Sequence, residues 1–272
     1  MRLRPSRQTA AMPAAAALAA ALVATVCLGL ARPAARAAGA QDHPQTCPPA
    51  GSREPLPPPT SAEQAAASRP DWRAPTAEAT GADYRHRLRP TPYGWPRRDH
   101  WCLWIEPGAS EGPAARWDQA WAAAVAAAVS SWQELLPLTL VHDPDEAQVQ
   151  VWRQRPPLRG GRASHGRAEL ALLVVQRGGE LALEPHVRVS ISPGQRPEAI
   201  EATALHELGH AFGLWGHSED PADAMAAVPG ATPVRRLSQR DRATLQWLQQ
   251  QPGLVLRPDA GAGSGSAGPA GS

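Results

Sequence analysis

The sequence predicts a single α/β or α+β domain, and three observations carry that prediction. Hydrophobic periodicity changes in a fixed order along the chain: a short strand, a long helical stripe, several more strands, then two helices. Composition confines this pattern to residues 91–255, because segments rich in proline, alanine, glycine and serine flank it on both sides. That stretch is long enough to bury a core of its own, and no internal repeat divides it.

The N-terminus reads as a targeting segment. Arg2, Arg4 and Arg7 precede an apolar run at residues 14–31, and Ala38-Gly39-Ala40 ends the small-residue stretch before Gln41. A basic start, an apolar middle and an A-x-A-like end describe a secretory signal peptide over residues 1–40. An uncleaved anchor is the alternative, but the run is mostly alanine and weakly hydrophobic. Ala24-Thr25-Val26 before Cys27 does not resemble a lipidation box. Residues 41–90 hold few aliphatics and read as a linker or pro-segment with little structure of its own. Residues 256–272 have flexible-linker composition. Cleavage after Ala40 removes Cys27 and leaves Cys47 and Cys102, which in an exported chain suggest one disulfide. Two free thiols, or Cys47 as an inhibitory metal ligand in a pro-segment, are the alternatives. The formal charge is +2 and no Lys/Arg cluster interleaves with aromatics, so no nucleic-acid partner is expected.

Within the domain, Trp101–Glu106 reads as a strand. Residues 114–136 read as a long helix whose apolar stripe is Trp117, Trp121, Val125, Ala128 and Trp132. Residues 138–141 and 147–152 are short strands, and a Gly/Arg-rich loop at 153–167 leads to strands at 169–176 and 181–192. A helix starts near Pro197, a residue suited to a first turn. The last helix starts at Leu237–Asp241, with Ser238 as N-cap and Asp241 at the acidic place of a capping box.

The chemistry concentrates in HELGHAFGLWGHSED, residues 206–220. His206 and His210 are four apart, which puts both imidazoles on one helix face, a turn apart. Hydrolytic zinc takes three protein ligands and leaves a position for water. Glu207 stands beside His206, placed to take the proton of that water and pass it to a leaving amine. Gly213 ends the helix and allows a sharp turn that brings His217 back as third ligand.

Read as a whole, this stretch resembles the metzincin clan of zinc endopeptidases, and within it the matrixin-like proteins, particularly a bacterial and cyanobacterial branch. Their signature is HExxHxxGxxH followed by a methionine turn; His206, Glu207, His210, Gly213 and His217 stand for it here, and Met225 lies eight residues past His217. The resemblance covers most of residues 95–250 and is specific around 203–225. It implies a metzincin-type zincin: a twisted mixed five-stranded sheet with an antiparallel edge strand, two long helices, and a small C-terminal subdomain with the methionine turn and a final helix. It implies one catalytic zinc on His206, His210 and His217, Glu207 as catalytic base and then acid, and Met225 as an apolar floor. It also implies that an extended peptide docks on the edge strand, for which 169–176 is the candidate and 181–192 the alternative.

Two departures stand out. The pattern expects a histidine three residues after the glycine, where this chain has Gly216; His217 comes one later, and Asp220 is the fallback ligand. Matrixins follow the methionine with Tyr-Pro, where this chain has Ala226-Ala227, so the wall of the neighbouring substrate pocket differs. His142, His165 and His186 suit either a structural zinc site or scattered loop positions. Asp143 and Asp145 suit either a calcium ion, the second candidate cofactor, or turn chemistry. The expectation is a secreted, extracellular or periplasmic zinc metalloendopeptidase acting on polypeptides, monomeric, with no membrane insertion once the signal is removed. The rival expectation is a matrixin-fold zinc-binding or cell-surface module with little catalysis.

Overall fold

The computed structural model describes residues 47, 53–55, 81–158, 164–177 and 179–256. Residues 1–40, expected to be a signal peptide, residues 257–272 and most of residues 41–80 lie outside them.

The fold is mixed α/β, with three helices and a six-stranded mixed sheet among the described residues. In chain order the elements are β1 (Arg53–Pro55), β2 (Trp101–Ile105), α1 (Ala115–Gln133), β3 (Leu138–Leu140), β4 (Val149–Trp152), β5 (Gly166–Arg177), β6 (Glu180–Ile191), α2 (Pro197–Ala211) and α3 (Gln239–Gln249). The spatial order is β1-β5-β6-β4-β2-β3. Strands β3, β2, β4 and β6 run parallel, and β5 runs antiparallel to β6 from Gly166↔Ile191 to Arg177↔Glu180.

Five strands are expected, and six are present among the described residues. The sixth, β1, comes from the segment expected to have little structure, and it pairs antiparallel with β5 at Leu173–Val175. Arg-Glu-Pro carries no alternation of apolar and polar residues; it pairs through its backbone, a contribution no hydrophobic pattern announces. Nearby in sequence, Cys47 is bonded to Cys102 on β2. The interior position of β6, between β5 and β4, excludes 181–192 as an edge strand.

The core lies between the sheet and the two long helices. Val149, Val151, Val187, Val189 and Ile191 face Trp121, Val125, Trp132, Leu205 and Leu208, all buried. The Trp132 indole N–H donates to the Leu205 carbonyl at 3.1 Å, which ties α1 to α2. Trp117, placed in the buried stripe by its spacing, is instead 66% exposed, with Arg116 stacked over its ring. Its neighbours Ala115 and Asp118 in the same turn of α1 are buried, so the covered side of this turn is theirs and Trp117 points away from it. The core also reaches further back than residue 91: Tyr84 and Leu88 are fully buried. The α3 capping box forms as expected, with Ser238 Oγ accepting from Asp241 N–H at 3.0 Å and Asp241 accepting from Ser238 N–H at 2.9 Å.

Candidate metal centre

Helix α2 begins at Pro197 after an extended Arg196 and carries His206, Glu207 and His210 in its last turns. The two imidazoles stand on one face with ring centroids 4.9 Å apart. Each ring is oriented by a backbone carbonyl. His206 Nδ1 bonds to Ala224 O and His210 Nδ1 to Leu214 O, both at 2.8 Å. A carbonyl only accepts, so each Nδ1 carries the proton and each Nε2 keeps its lone pair free for a ligand role.

The helix stops at Ala211, and Gly213 takes φ +104°, a conformation that favours glycine. A Cβ there would also lie 3.0 Å from the Pro96 carbonyl and from Leu248. The reversed chain returns His217 to the helix, with its Nε2 3.2 Å from His210 Nε2. Ligand atoms of His206, His210 and His217 all lie within 4.8 Å of one another. The chain reaches this point only because residue 216 is glycine: a Cβ would sit 2.3 Å from the Arg87 carbonyl oxygen. Asp220 is not part of the cluster; its carboxylate accepts from Ala222 N–H at 2.9 Å and closes a local turn.

Met225 is fully buried under the helix. Its sulfur lies 2.2 Å from where a Cβ on Gly209 would be, so the glycine between the two helical histidines lets the thioether approach closely. The turn that carries it is held by Asp241, which accepts from Ala224 N–H at 2.9 Å and from the Tyr84 hydroxyl at 2.7 Å. Asp241 is itself fully buried. Sequence reading saw Asp241 only as a helix cap and placed Tyr84 in the linker.

Burial dominates the electrostatics. It lowers His206, His210 and His217 below the ordinary histidine range, with His210 pushed down to about 3 by burial and then by the neighbouring His206. All three are therefore neutral near pH 7, the form that binds a metal. Burial pushes Glu207 the other way, up to about 7, partly offset by the Ala168 N–H that donates to its carboxylate.

Glu207 faces the start of β5. A Cβ on Gly166 would lie 2.6–2.7 Å from Glu207 Cγ and Oε1, so only a glycine lets strand and carboxylate approach this closely. Its place at the end of a Gly/Arg-rich loop was the available signal. Beside Glu207 opens a cavity of about 430 Å³, lined by Thr203 of α2, Gly166 of β5, and Ala226, Ala227 and Pro229 beyond the methionine. Along β5, β1 pairs with the outer side at Leu173–Val175, and the start of the strand at Gly166 lies against Glu207.

The remaining candidates separate. Among the described residues, His142, His165 and His186 do not converge with other ligand side chains. Asp143 accepts from Asp145 N–H at 2.8 Å and caps a short 3₁₀ turn at Pro144–Glu146, which is turn chemistry. The group Cys47, His100 and Cys102 also converges, but its two sulfurs are bonded to each other. No protein-family model matches this chain, and no curated protein matches it in sequence.

Proposed function

We propose that this chain is an exported zinc-dependent endopeptidase of the metzincin type, matrixin-like, that hydrolyses peptide bonds in extended polypeptides. The single observation that carries the reading is the convergence of three neutral imidazoles beside one half-buried carboxylate at the mouth of a cavity.

The donor set suits zinc: His206, His210 and His217 would hold it through Nε2, with the fourth position left for water. Zinc bound there supplies a polarised carbonyl and an acidified water. The chain's own groups do the rest. Glu207, with its pKa near neutrality, is matched to taking a proton from water and returning it to the leaving amine. Ala168 N–H holds one side of that carboxylate and fixes its direction. The start of β5, which lies against Glu207 at Gly166, is the strand beside which an extended peptide would run. The adjacent cavity, walled by Ala226 and Ala227, receives a side chain next to the scissile bond, and its small-residue lining suits a large apolar one. The parallel strands, the single long antiparallel β5 and the methionine under the helical histidines further support the metzincin reading.

The rival reading, a zinc-binding module with little catalysis, draws on the exposed His217 and the altered pocket wall. One experiment separates them: zinc content and cleavage of a mixed peptide library, measured for the chain from residue 41 and for its Glu207→Ala variant. One zinc in both and cleavage only by the wild type is the expected result. One zinc in both and no cleavage by either selects the binding module, and no zinc in the wild type overturns the site.

A further inference from the structure

We propose that Arg240, on α3, positions the third metal ligand, His217, by clamping the loop between His217 and Met225; the inference rests on the zinc reading above. His206 and His210 are held by helix geometry. His217 is exposed and sits on a loop, so something outside the loop has to hold it in place.

The loop is closed on itself by backbone bonds. Ser218 N–H donates to Met225 O at 2.8 Å, Ala227 N–H donates to Ser218 O at 2.9 Å, and Asp223 N–H donates to Asp220 O at 3.1 Å. Arg240 ties this closed unit to the body. Its Nη2 donates to Glu219 Oε1 at 2.7 Å and lies 3.5 Å from Ser218 Oγ. Its Nε is 3.1 Å from Asp223 Oδ2, a buried carboxylate that also accepts from the Ser218 hydroxyl at 2.5 Å. One guanidinium thus grips residues one, two and six places beyond the ligand, on both limbs of the loop. Tyr84 lies under it, with the ring centroid 6.0 Å from the guanidinium carbon. A planar fork holds two carboxylates in a fixed relative geometry, which a single ammonium does not do.

Magnitudes separate positioning from plain stabilisation. Glu219 is 45% exposed at its side chain, and ion pairs of that kind add little to global stability. Groups hydrogen-bonded directly to a metal ligand typically change metal affinity by about 10–100-fold; Arg240 acts one residue further out, through the neighbours of His217, so about 10-fold is the expected size. Asp223 is buried, so loss of Arg240 is expected to lower the unfolding temperature as well as weaken zinc binding; Glu219→Gln, which leaves the Asp223 pair in place, is the variant in which metal affinity falls with little change in stability.

The test uses the chain from residue 41 as wild type, Arg240→Ala, Arg240→Lys and Glu219→Gln. Zinc affinity by chelator competition, the visible spectrum of the cobalt-substituted protein and thermal unfolding of the metal-free protein are measured for each. The expected result is about a 10-fold loss of zinc affinity in Arg240→Ala with an altered cobalt spectrum, and partial recovery in Arg240→Lys, which can pair with only one carboxylate. Wild-type affinity and spectrum in Arg240→Ala overturn the proposal and leave the zinc reading intact. If Arg240→Ala does not fold, Glu219→Gln decides by the same two readouts, and wild-type values there overturn the proposal. A wild type that binds no zinc fails the underlying reading instead.

Discussion

Helix α2 and the loop that follows it supply the same kind of ligand by opposite physics. On α2, the 3.6-residue period alone brings His206 and His210 to one face, and burial under Met225 and Trp132 keeps the helix in place. In the loop, His217 arrives through a glycine turn at 213, a close approach at Gly216, and ties to residues more than twenty positions away. A helix is a local solution that tolerates changes around it. A loop ligand is a tertiary solution, and it is only as well placed as its remote anchors.

The comparison can be broken most decisively at the ligands. His210→Ala and His217→Ala are each expected to abolish stoichiometric zinc, while Asp220→Ala keeps it, as read by metal analysis after gel filtration. Zinc retained in His217→Ala and lost in Asp220→Ala would move the loop ligand to Asp220. Next in size, Glu207→Ala is expected to lower peptide cleavage by about 10²–10⁴-fold with zinc retained, the range of a general acid–base contribution.

Glu207 also gives the helix side a pH signature in the metal-free protein. Its folded pKa is raised from 4.5 to about 7, so the folded state holds a proton that the unfolded state releases in that window. The contribution is fully present below pH 4.5 and is lost as pH rises towards 7, with a total on the order of 3 kcal/mol. Urea unfolding of the metal-free chain should show that decline, and Glu207→Gln should flatten it. A decline of equal slope in Glu207→Gln would assign it to another group.

Two smaller effects sharpen the loop side. Gly213→Ala forces a side chain into a left-handed turn against Pro96 and Leu248, at an expected cost of about 1–3 kcal/mol. Tyr84→Phe removes a hydroxyl donated to the buried Asp241 and should cost about 1.5–3 kcal/mol. Both are read by thermal unfolding. A Tyr84→Phe protein as stable as the wild type would show that the hydroxyl donated to Asp241 is dispensable to the turn that carries Met225.

Much of the site was legible because its parts are close in sequence. The HExxH spacing, the glycine two residues past the helix and the offset to Met225 all act over short stretches, where backbone geometry is set by the residues themselves. The β-strands from 101 to 192 were legible for the same reason, since alternation marks a half-buried strand wherever it pairs. Trp117 shows the limit: its spacing fits the stripe, but in the first turn the covered residues are Ala115 and Asp118, a choice made by what packs there and not by periodicity.

What the sequence by itself determined is the order of elements, the two helical histidines with their glutamate, and the cap of α3 by Ser238 and Asp241, because each depends on local periodicity or a hydrogen bond spanning a few residues. Only the tertiary structure decided that β1 joins the sheet, that His217 rather than Asp220 meets the helix, that Gly166 backs Glu207, and that Tyr84 and Asp241 brace the methionine turn. Those outcomes depend on backbone pairing, on the space a missing Cβ leaves, and on contacts between residues as many as 157 positions apart, none of which a local pattern encodes.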